Sequence, residues 1–198
     1  MAIQVGVMGS ATEQLTRKQK RLALELGHAI AENHCILITG GCPGLPHLTA
    51  KGAKQSNGLT IGISPGLSLH EHVIKYDSPT KYYDIFIFTG SGLMGREVLN
   101  IRSSNIVIIL GGRSGTLGEF AIAYDEGKLI GILEGSGGIS DEIDDILRIC
   151  AIKKTGAKII KDRDPHQLVK KLLRAYKKEF HSHSSIFDHE KKIRKKWR

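Results

Sequence analysis

The stretch IVIILGGRSGTLGE, residues 106–119, decides the fold class of this chain. It opens with five apolar residues, Ile106–Leu110, the length and composition of a strand that is buried on both faces. A glycine-rich turn follows at once, and a helical pattern continues from Thr116 to Glu126. A buried strand that passes through a glycine turn into a helix is the repeating unit of a parallel sheet covered by helices.

The same alternation of strand and helix extends along the rest of the chain, and no repeat or linker divides it. We therefore expect an α/β fold, a single doubly wound Rossmann-like domain with a mainly parallel central sheet. This domain covers residues 1–178, and residues 179–198 form a basic C-terminal tail. Further strands are expected at residues 3–8, 35–39, 59–63, 85–89 and 129–133. Further helices are expected at residues 12–32, 48–54, 93–103 and 165–178, and an irregular loop at residues 64–84.

Composition excludes several classes of protein. With 40% hydrophobic residues, the chain of 198 residues has enough apolar material for a core, so wholesale disorder is excluded. No apolar run approaches the ~18–20 residues of a membrane span, and the N-terminus lacks the pattern of a signal peptide. Three widely spaced cysteines do not form a disulfide framework. These features predict a cytoplasmic protein with no membrane contact.

The positive charge is concentrated at the C-terminal end. The formal net charge is +9, and residues 177–198 contribute +5 of it, from eight Lys or Arg against three acidic residues. A basic tail can bind nucleic acid or another anionic surface. We favour a solvated terminal helix or extension, because few aromatic residues accompany the charge.

Four glycine-rich turns follow strands, at the sheet edge where doubly wound proteins bind ligands. Glycine lets the backbone approach a phosphate closely, and free N–H groups at a helix start attract its charge. The turns therefore predict a phosphorylated small-molecule ligand. The candidate phosphate-binding residues are Gly9, Ser10, Gly40, Gly41, Gly44, Gly90, Ser91, Gly111, Gly112, Arg113, Ser114, Gly115 and Thr116.

Other nucleotide and hydrolase motifs are incomplete or missing. Residues 90–95, GSGLMG, match a dinucleotide fingerprint, but no acidic residue ends the next strand, so NAD binding is not favoured. The sequence contains no P-loop motif, and its G-x-S-x-G match, GISPG at residues 62–66, leads into an expected irregular loop rather than a helix, so a hydrolase of that class is not favoured. We predict no metal site and no resident cofactor, and we expect the histidines at 70, 72, 181, 183 and 189 to be exposed.

Several other side chains have two readings. Cys42 stands in a turn at the ligand edge, where it either contacts a ligand or fills the turn. Tyr76, Tyr82 and Tyr83 flank the long loop, and they either stack on a ligand base or pack the loop. The most informative pair is Arg96 and Glu119, because both are placed to reach a ligand held by residues 112–116.

This pattern resembles the LONELY GUY family, phosphoribohydrolases that are often labelled lysine decarboxylases. The family signature is P-G-G-x-G-T-x-x-E, with an Arg on the preceding helix. Aligned on Gly115-Thr116, this chain supplies Glu119 as the Glu and Arg96 as the Arg. The match is closer to a bacterial branch with G-G-G-Y-G-T-L-x-E and an R-N-x-x-N-x-R helix, which includes the molybdenum-cofactor carrier protein. The resemblance covers residues 3 to about 175.

The loop departs from the family pattern at three positions. Gly111 stands in place of Pro, Arg113 in place of Gly and Ser114 in place of Tyr. Arg113 either adds a phosphate contact or blocks the backbone approach that Gly allows.

The resemblance implies that the chain hydrolyses a nucleoside 5′-monophosphate to free base and ribose 5-phosphate. In that reaction Glu119 either stabilises an oxocarbenium-like sugar or orients water, and Arg96 clamps substrate oxygens. The alternative is a non-enzymatic carrier of a phosphorylated cofactor of the molybdenum-cofactor type, which uses the same loops. A third hypothesis is a nucleic-acid-binding Rossmann protein that uses the basic tail.

The resemblance also implies a homodimer or a dimer of dimers, because in that family the two corresponding helices pair across a two-fold axis. Arg96 and Glu119 then lie near the subunit boundary. The apolar residues expected to be left for this interface are Leu99, Ile101, Phe120, Ile122 and Ala123.

Overall fold

The protein is described by a computed structural model that covers residues 2–12, 14–150 and 155–179. The basic tail and its histidines lie outside these residues, apart from the end of the last helix. Among the described residues, no helix is long and apolar enough to cross a membrane. The elements in chain order are β1 (Gln4–Gly9), α1 (Arg17–Glu32), β2 (Ile36–Thr39), α2 (Leu45–Gln55), β3 (Thr60–Ser64), a π-helical turn (Glu71–Lys75), β4 (Ile85–Phe88), α3 (Gly92–Arg102), β5 (Ile106–Leu110), α4 (Ser114–Asp125), β6 (Leu129–Leu133), α5 (Ile139–Cys150), β7 (Lys158–Asp162) and α6 (Pro165–Glu179).

The seven strands form one parallel sheet in the order β4-β3-β2-β1-β5-β6-β7. Strand β1 is central, with Val5 opposite Leu37 of β2 on one side and Ile106 of β5 on the other. The strand order reverses between β1 and β5, which opens a crevice at their carboxyl ends. The predicted fold class is confirmed.

Helices cover both faces of the sheet. On one face, α1, α2 and α6 pack against Val5 and Val7 of β1, in a core that includes Leu26 and Leu168. On the other face, α3, α4 and α5 pack against a second core that includes Met8. Burial of both faces explains why the central strands are continuous apolar runs rather than alternating ones.

Three of the five apolar residues expected at the α3 and α4 surface are buried inside the subunit. Ile101, Phe120 and Ala123 pack in the core between these helices and the sheet. That expectation was wrong for them, because both helices turn these residues towards β1, β5 and β6. Leu99 stays 40% exposed, and Ile122 is half-buried.

Element boundaries differ from the predictions where a local contact sets them. Helix α1 begins at Arg17 rather than near residue 12, because Thr16 forms a capping box with Gln19. The Gln19 N–H donates to Thr16 Oγ1 (3.2 Å), and the Thr16 N–H donates to Gln19 Oε1 (3.0 Å). Helix α5 and strand β7 were not predicted at all, and residues 71–75 form a π-helical turn within the expected irregular loop.

Candidate functional site

A cleft of about 580 Å³ lies at the carboxyl ends of β1 and β5. Its walls come from the turn after β1, the turn after β2, helices α3 and α4, and part of the loop between β3 and β4. The candidate residues that line it are Gly9, Ser10, Gly40, Arg96, Arg113, Gly115, Thr116 and Glu119. The structure therefore brings residues from four separate segments to one place, while their roles as ligands remain predictions.

Arg96 crosses the floor of this cleft from α3, and its side chain is 7% exposed. The guanidinium lies directly against Gly40, where a Cβ atom would overlap it. Gly40 therefore serves to admit the arginine, which is a different role from a phosphate contact. The Arg96 Nε atom is buried and has no hydrogen-bond partner among the described residues, so the hydrogen-bonding capacity of the guanidinium is not fully used within the described part of the chain.

Glu119 faces the same cleft from the second turn of α4, and it is 8% exposed. Burial raises the pKa of this carboxyl to about 8; the neighbouring Glu97 adds to the increase, and the Arg96 guanidinium opposes it. At neutral pH Glu119 is therefore mostly a neutral carboxylic acid. In that form it can donate a hydrogen bond as well as accept one.

Glu97 is a cleft residue that the sequence reasoning missed. It is 7% exposed, and its Oε2 atom has no hydrogen-bond partner within the described part of the chain. Its carboxyl oxygens lie 3.6 and 3.5 Å from where Cβ atoms on Gly115 and Gly118 would be. Burial raises the pKa of Glu97, and Arg96 opposes the increase. A signal was available, because the resembled bacterial branch has Asn at this position.

The N-terminus of α4 supplies the part of the cleft that best fits an anion. Arg113 is the N-cap residue, its side chain is exposed and makes no cap hydrogen bond, and no acidic residue follows in the first turn. The first N–H groups of a helix, here those of Ser114, Gly115 and Thr116, have no acceptor within the helix. Together with the helix dipole, they favour a phosphate at this point.

Gly111 and Gly112 precede this helix, but their backbone groups form hydrogen bonds to another turn of the protein. The Gly111 N–H donates to the Ser136 hydroxyl (2.9 Å), and the Gly112 carbonyl accepts from the Ile139 N–H (3.1 Å). The two residues thus join the turn after β5 to the turn after β6. Neither residue lines the cleft.

The remaining candidate glycines have packing contacts. Gly44, with φ of +80°, begins α2 and packs so closely against residues 10–12 that a side chain would meet their backbone. Gly41 packs beneath Phe86, and Gly90 packs against Leu67. These three glycines, like Ser91, which caps α3, do not line the cleft.

The loop between β3 and β4 contributes Lys75, Tyr76 and Ser78 to the cleft wall. His72 anchors this loop and is fully buried, so the expectation that it is exposed was wrong. Its Nδ1 atom lies 2.9 Å from Ser64 Oγ, and its Nε2 atom lies 3.2 Å from the Pro79 carbonyl oxygen. Burial lowers the pKa of its imidazole.

Cys42 and the tyrosines divide between ligand edge and core. Cys42 and Tyr76 line the cleft, and burial raises the pKa of the Cys42 thiol, which therefore stays protonated at neutral pH. Tyr83 packs against Phe86, and its hydroxyl lies 3.0 Å from Thr39 Oγ1. Tyr82 packs at a tilt against the ring of His47, outside the cleft.

Comparison with protein families matches residues 2–169 to the SLOG cluster4 family. The chain belongs to the SLOG cluster4 family. The match supports the resemblance seen in the sequence at the level of the LOG-like superfamily, which is coarser than the LONELY GUY enzymes themselves.

Individual relatives of this SLOG cluster4 chain include an uncharacterised protein of Archaeoglobus fulgidus, 36% identical over 67% of this chain and 80% of the relative. The molybdenum cofactor carrier protein of Chlamydomonas reinhardtii has a similar solved structure, with 30% identity, a TM-score of 0.70, and coverage of 88% of this chain and 99% of that one. The molybdenum cofactor binding protein of Rippkaea orientalis gives 31% identity and a TM-score of 0.68, with coverage of 87% and 98%.

Proposed function

We propose that this SLOG protein binds a phosphorylated cofactor of the molybdenum-cofactor type in its cleft and carries it without cleaving it. Two solved structures at 30–31% identity are named for this cofactor, and they share the fold over nearly all of their length. The phosphate is held at the N-terminus of α4, within reach of Thr116 and of the Arg96 guanidinium.

The observation that carries the proposal is the environment of Glu119. Glycoside hydrolysis uses two carboxyls, a protonated one as general acid and an ionised one that stabilises the oxocarbenium-like sugar or activates water. Glu119 is buried, and its pKa is raised to about 8, so it does not supply the ionised member at neutral pH. Burial also raises the pKa of Glu97, the other carboxyl in the cleft, which supports a site that holds its ligand through hydrogen bonds.

Co-purification of a pterin tests the carrier proposal. The protein is purified from a host that makes the cofactor, and bound pterin is quantified by fluorescence after oxidation and by mass spectrometry. We expect pterin with the wild-type protein and a loss of at least about tenfold with Arg96→Gln, since a charged hydrogen-bonding group contributes about 1.5–3 kcal/mol.

Arg102→Gln is the matched control for this experiment. Arg102 lies on the same helix, but it is exposed and pairs with Glu126 (2.7 Å) outside the cleft. The control should retain the pterin. Wild-type protein without any pterin, or equal loss from both variants, contradicts the proposal.

The second candidate function is the phosphoribohydrolase, which the convergence of Arg96 and Glu119 in one cleft favours. With AMP as substrate, water adds to C1′ of the ribose while the C1′–N9 bond breaks, which gives adenine and ribose 5-phosphate. Free adenine is followed by chromatography. No adenine release, or release that persists in Glu119→Ala, contradicts this function.

We also propose that the subunit forms a homodimer through the sheet face beside α3. Strand register places Ile85 on the same face as Gly6 of β1, and Ile85 and Ile87 of the edge strand β4 are 47% and 48% exposed there. Leu93, Met94 and Leu99 of α3 are exposed as well. A second α3 is the element that covers such a face under two-fold symmetry.

Light scattering tests the dimer. The wild-type protein is expected at twice the chain mass of 21.7 kDa, and Met94→Asp should shift it towards the monomer. The control is Ile149→Asp, at an exposed position on α5 away from α3. A monomeric wild-type protein at micromolar concentration rejects this assembly.

A further inference from the structure

A second cavity, of about 450 Å³, lies beside the cleft. Pro43 and Ser78 line both spaces, so the two are separated by little more than one side chain. The second cavity is mixed in character, with an apolar floor and a few polar groups. Its other lining residues are Leu15, Lys20, Gly44, His47, Leu48, Val73, Asp77 and Pro79.

The surroundings of this cavity are positively charged. Lys20 lies in its wall, and Lys51 and Lys81 are close enough to His47 to lower the pKa of the imidazole, with burial as the larger cause. Asp77 is the acidic residue among the described parts of the wall. The lysines therefore favour an anionic group here.

The cavity also offers a surface for a flat ring. The neutral His47 imidazole packs against Tyr82, with 5.3 Å between ring centroids, and its Nδ1 atom is buried without a hydrogen-bond partner among the described residues. Leu15 and Leu48 are partly buried hydrophobic residues beside it. Apolar walls with a few convergent polar groups are typical of small-molecule sites.

We infer that the second cavity binds a second ring-and-phosphate unit of the ligand, so that the full ligand is of the dinucleotide type. One phosphorylated half lies in the cleft at α4, and the other half passes Pro43 and Ser78 to reach Lys20 and His47. The inference depends on the proposed function only in placing the first phosphorylated half in the cleft. Linking the two halves makes binding of the second one intramolecular, which raises the affinity above that of either half.

Calorimetric titration with two nucleotides tests this inference. The probes are AMP and the 5′-phosphorylated dinucleotide pApA, at low salt. The wild-type protein should bind pApA at least about tenfold more tightly than AMP. Lys20→Gln should reduce this preference by about threefold, the contribution of one exposed charge, without changing the affinity for AMP.

Lys18→Gln is the matched control, because Lys18 is an exposed lysine on the same turn of α1 that lines neither space. It should leave both affinities unchanged. Equal affinities for AMP and pApA, binding of neither, or an equal effect of Lys20→Gln on both overturns the inference. Pterin co-purification is scored separately: pterin without a dinucleotide preference retains the carrier proposal and rejects this one, and the converse result does the reverse.

Discussion

Two glycine-rich turns at the same edge of the sheet have different uses. The turn at residues 40–44 lies between β2 and α2, and its glycines make room for other parts of the protein: Gly40 for the Arg96 guanidinium and Gly44 for the backbone of residues 10–12. The turn at residues 111–116 opens α4 and presents the first N–H groups of that helix to the cleft. Similar sequences thus supply a support in one place and the proposed binding surface in the other.

The charges behind the two turns differ as well. A buried arginine lies against the first turn, whereas two buried carboxyls, Glu97 and Glu119, lie behind the second. Glycine content alone therefore does not distinguish a phosphate loop from a packing turn. The distinction depends on what reaches the turn from distant parts of the chain.

The largest expected effect concerns the carboxyls behind the second turn. The pKa of Glu119 is about 8 in the folded protein and near 4.5 when it is solvated, so the folded state holds a proton that the unfolded state releases between these values. The free energy of unfolding should therefore fall as the pH rises from about 5 to about 8, by roughly 1.4 kcal/mol per pH unit. Denaturant titration at several pH values should show this slope, and Glu119→Gln should remove most of it.

Glu142→Gln serves as the control for this pH profile, because Glu142 is exposed on α5. It should leave the slope unchanged. The lowered pKa values of His47 and His72 act in the opposite direction below about pH 6.5, so the decisive quantity is the difference in slope between the wild-type protein and Glu119→Gln. Equal slopes between pH 5 and pH 8 would show that Glu119 is ionised throughout.

The next largest effect is expected at Gly44, in the turn at residues 40–44. Gly44→Ala introduces a side chain at a φ of +80° and directly against the backbone of residues 10–12. We expect a loss of about 3 kcal/mol in the free energy of unfolding, measured by denaturant titration. A loss below about 1 kcal/mol in the free energy of unfolding would mean that residues 10–12 can move away from residue 44 at little cost.

Gly40→Ala tests whether the turn at residues 40–44 affects ligand binding through the position of Arg96. The new methyl group would displace the guanidinium, so ligand retention should fall by about 10- to 100-fold, as is also expected for Arg96→Gln. Bound pterin or nucleotide affinity measures this. The Gly40→Ala, Arg96→Gln double variant should lose no more ligand than either single variant. Additive losses would show that the two residues affect binding independently.

The smallest expected effect is at Gly115, in the turn at residues 111–116. A Cβ atom there meets only Glu97 Oε1, at 3.6 Å, and the position is helical. Gly115→Ala should therefore leave the free energy of unfolding unchanged or raise it by up to about 1 kcal/mol, while ligand affinity falls. A clear loss of stability would place Gly115 with the packing glycines.

Much of the fold followed from local patterns. The predicted limits of β5 and β6 agree with the structure, because apolar runs between glycines and polar residues leave little choice. Strand β7 escaped prediction, because its sequence KIIKD is half-buried at the sheet edge and carries three charges. Helix α5 escaped because acidic residues and a preceding glycine run hid its amphipathic pattern.

The site was harder to predict, because its assembly depends on contacts that are distant in sequence. The engagement of Gly111 by Ser136 and the passage of Arg96 over Gly40 both join separate segments. Glu97 directly follows Arg96 on α3. Burial of its side chain depends on Gly115 and Gly118 of α4, and the one signal within α3 is its departure from the Asn of the resembled branch.

The pairing of β1 with β5 has a consequence for the order of events during synthesis. Val5 lies opposite both Leu37 and Ile106, so the central strand waits for its second partner, about a hundred residues further along the chain. Because all strands are parallel, none of the pairings is a local hairpin, and such topologies fold slowly. The cleft cannot exist on a ribosome-bound fragment that ends before α4, although β1 to β4 have been synthesised by then, so a nascent chain exposes apolar strands before the proposed ligand site can form.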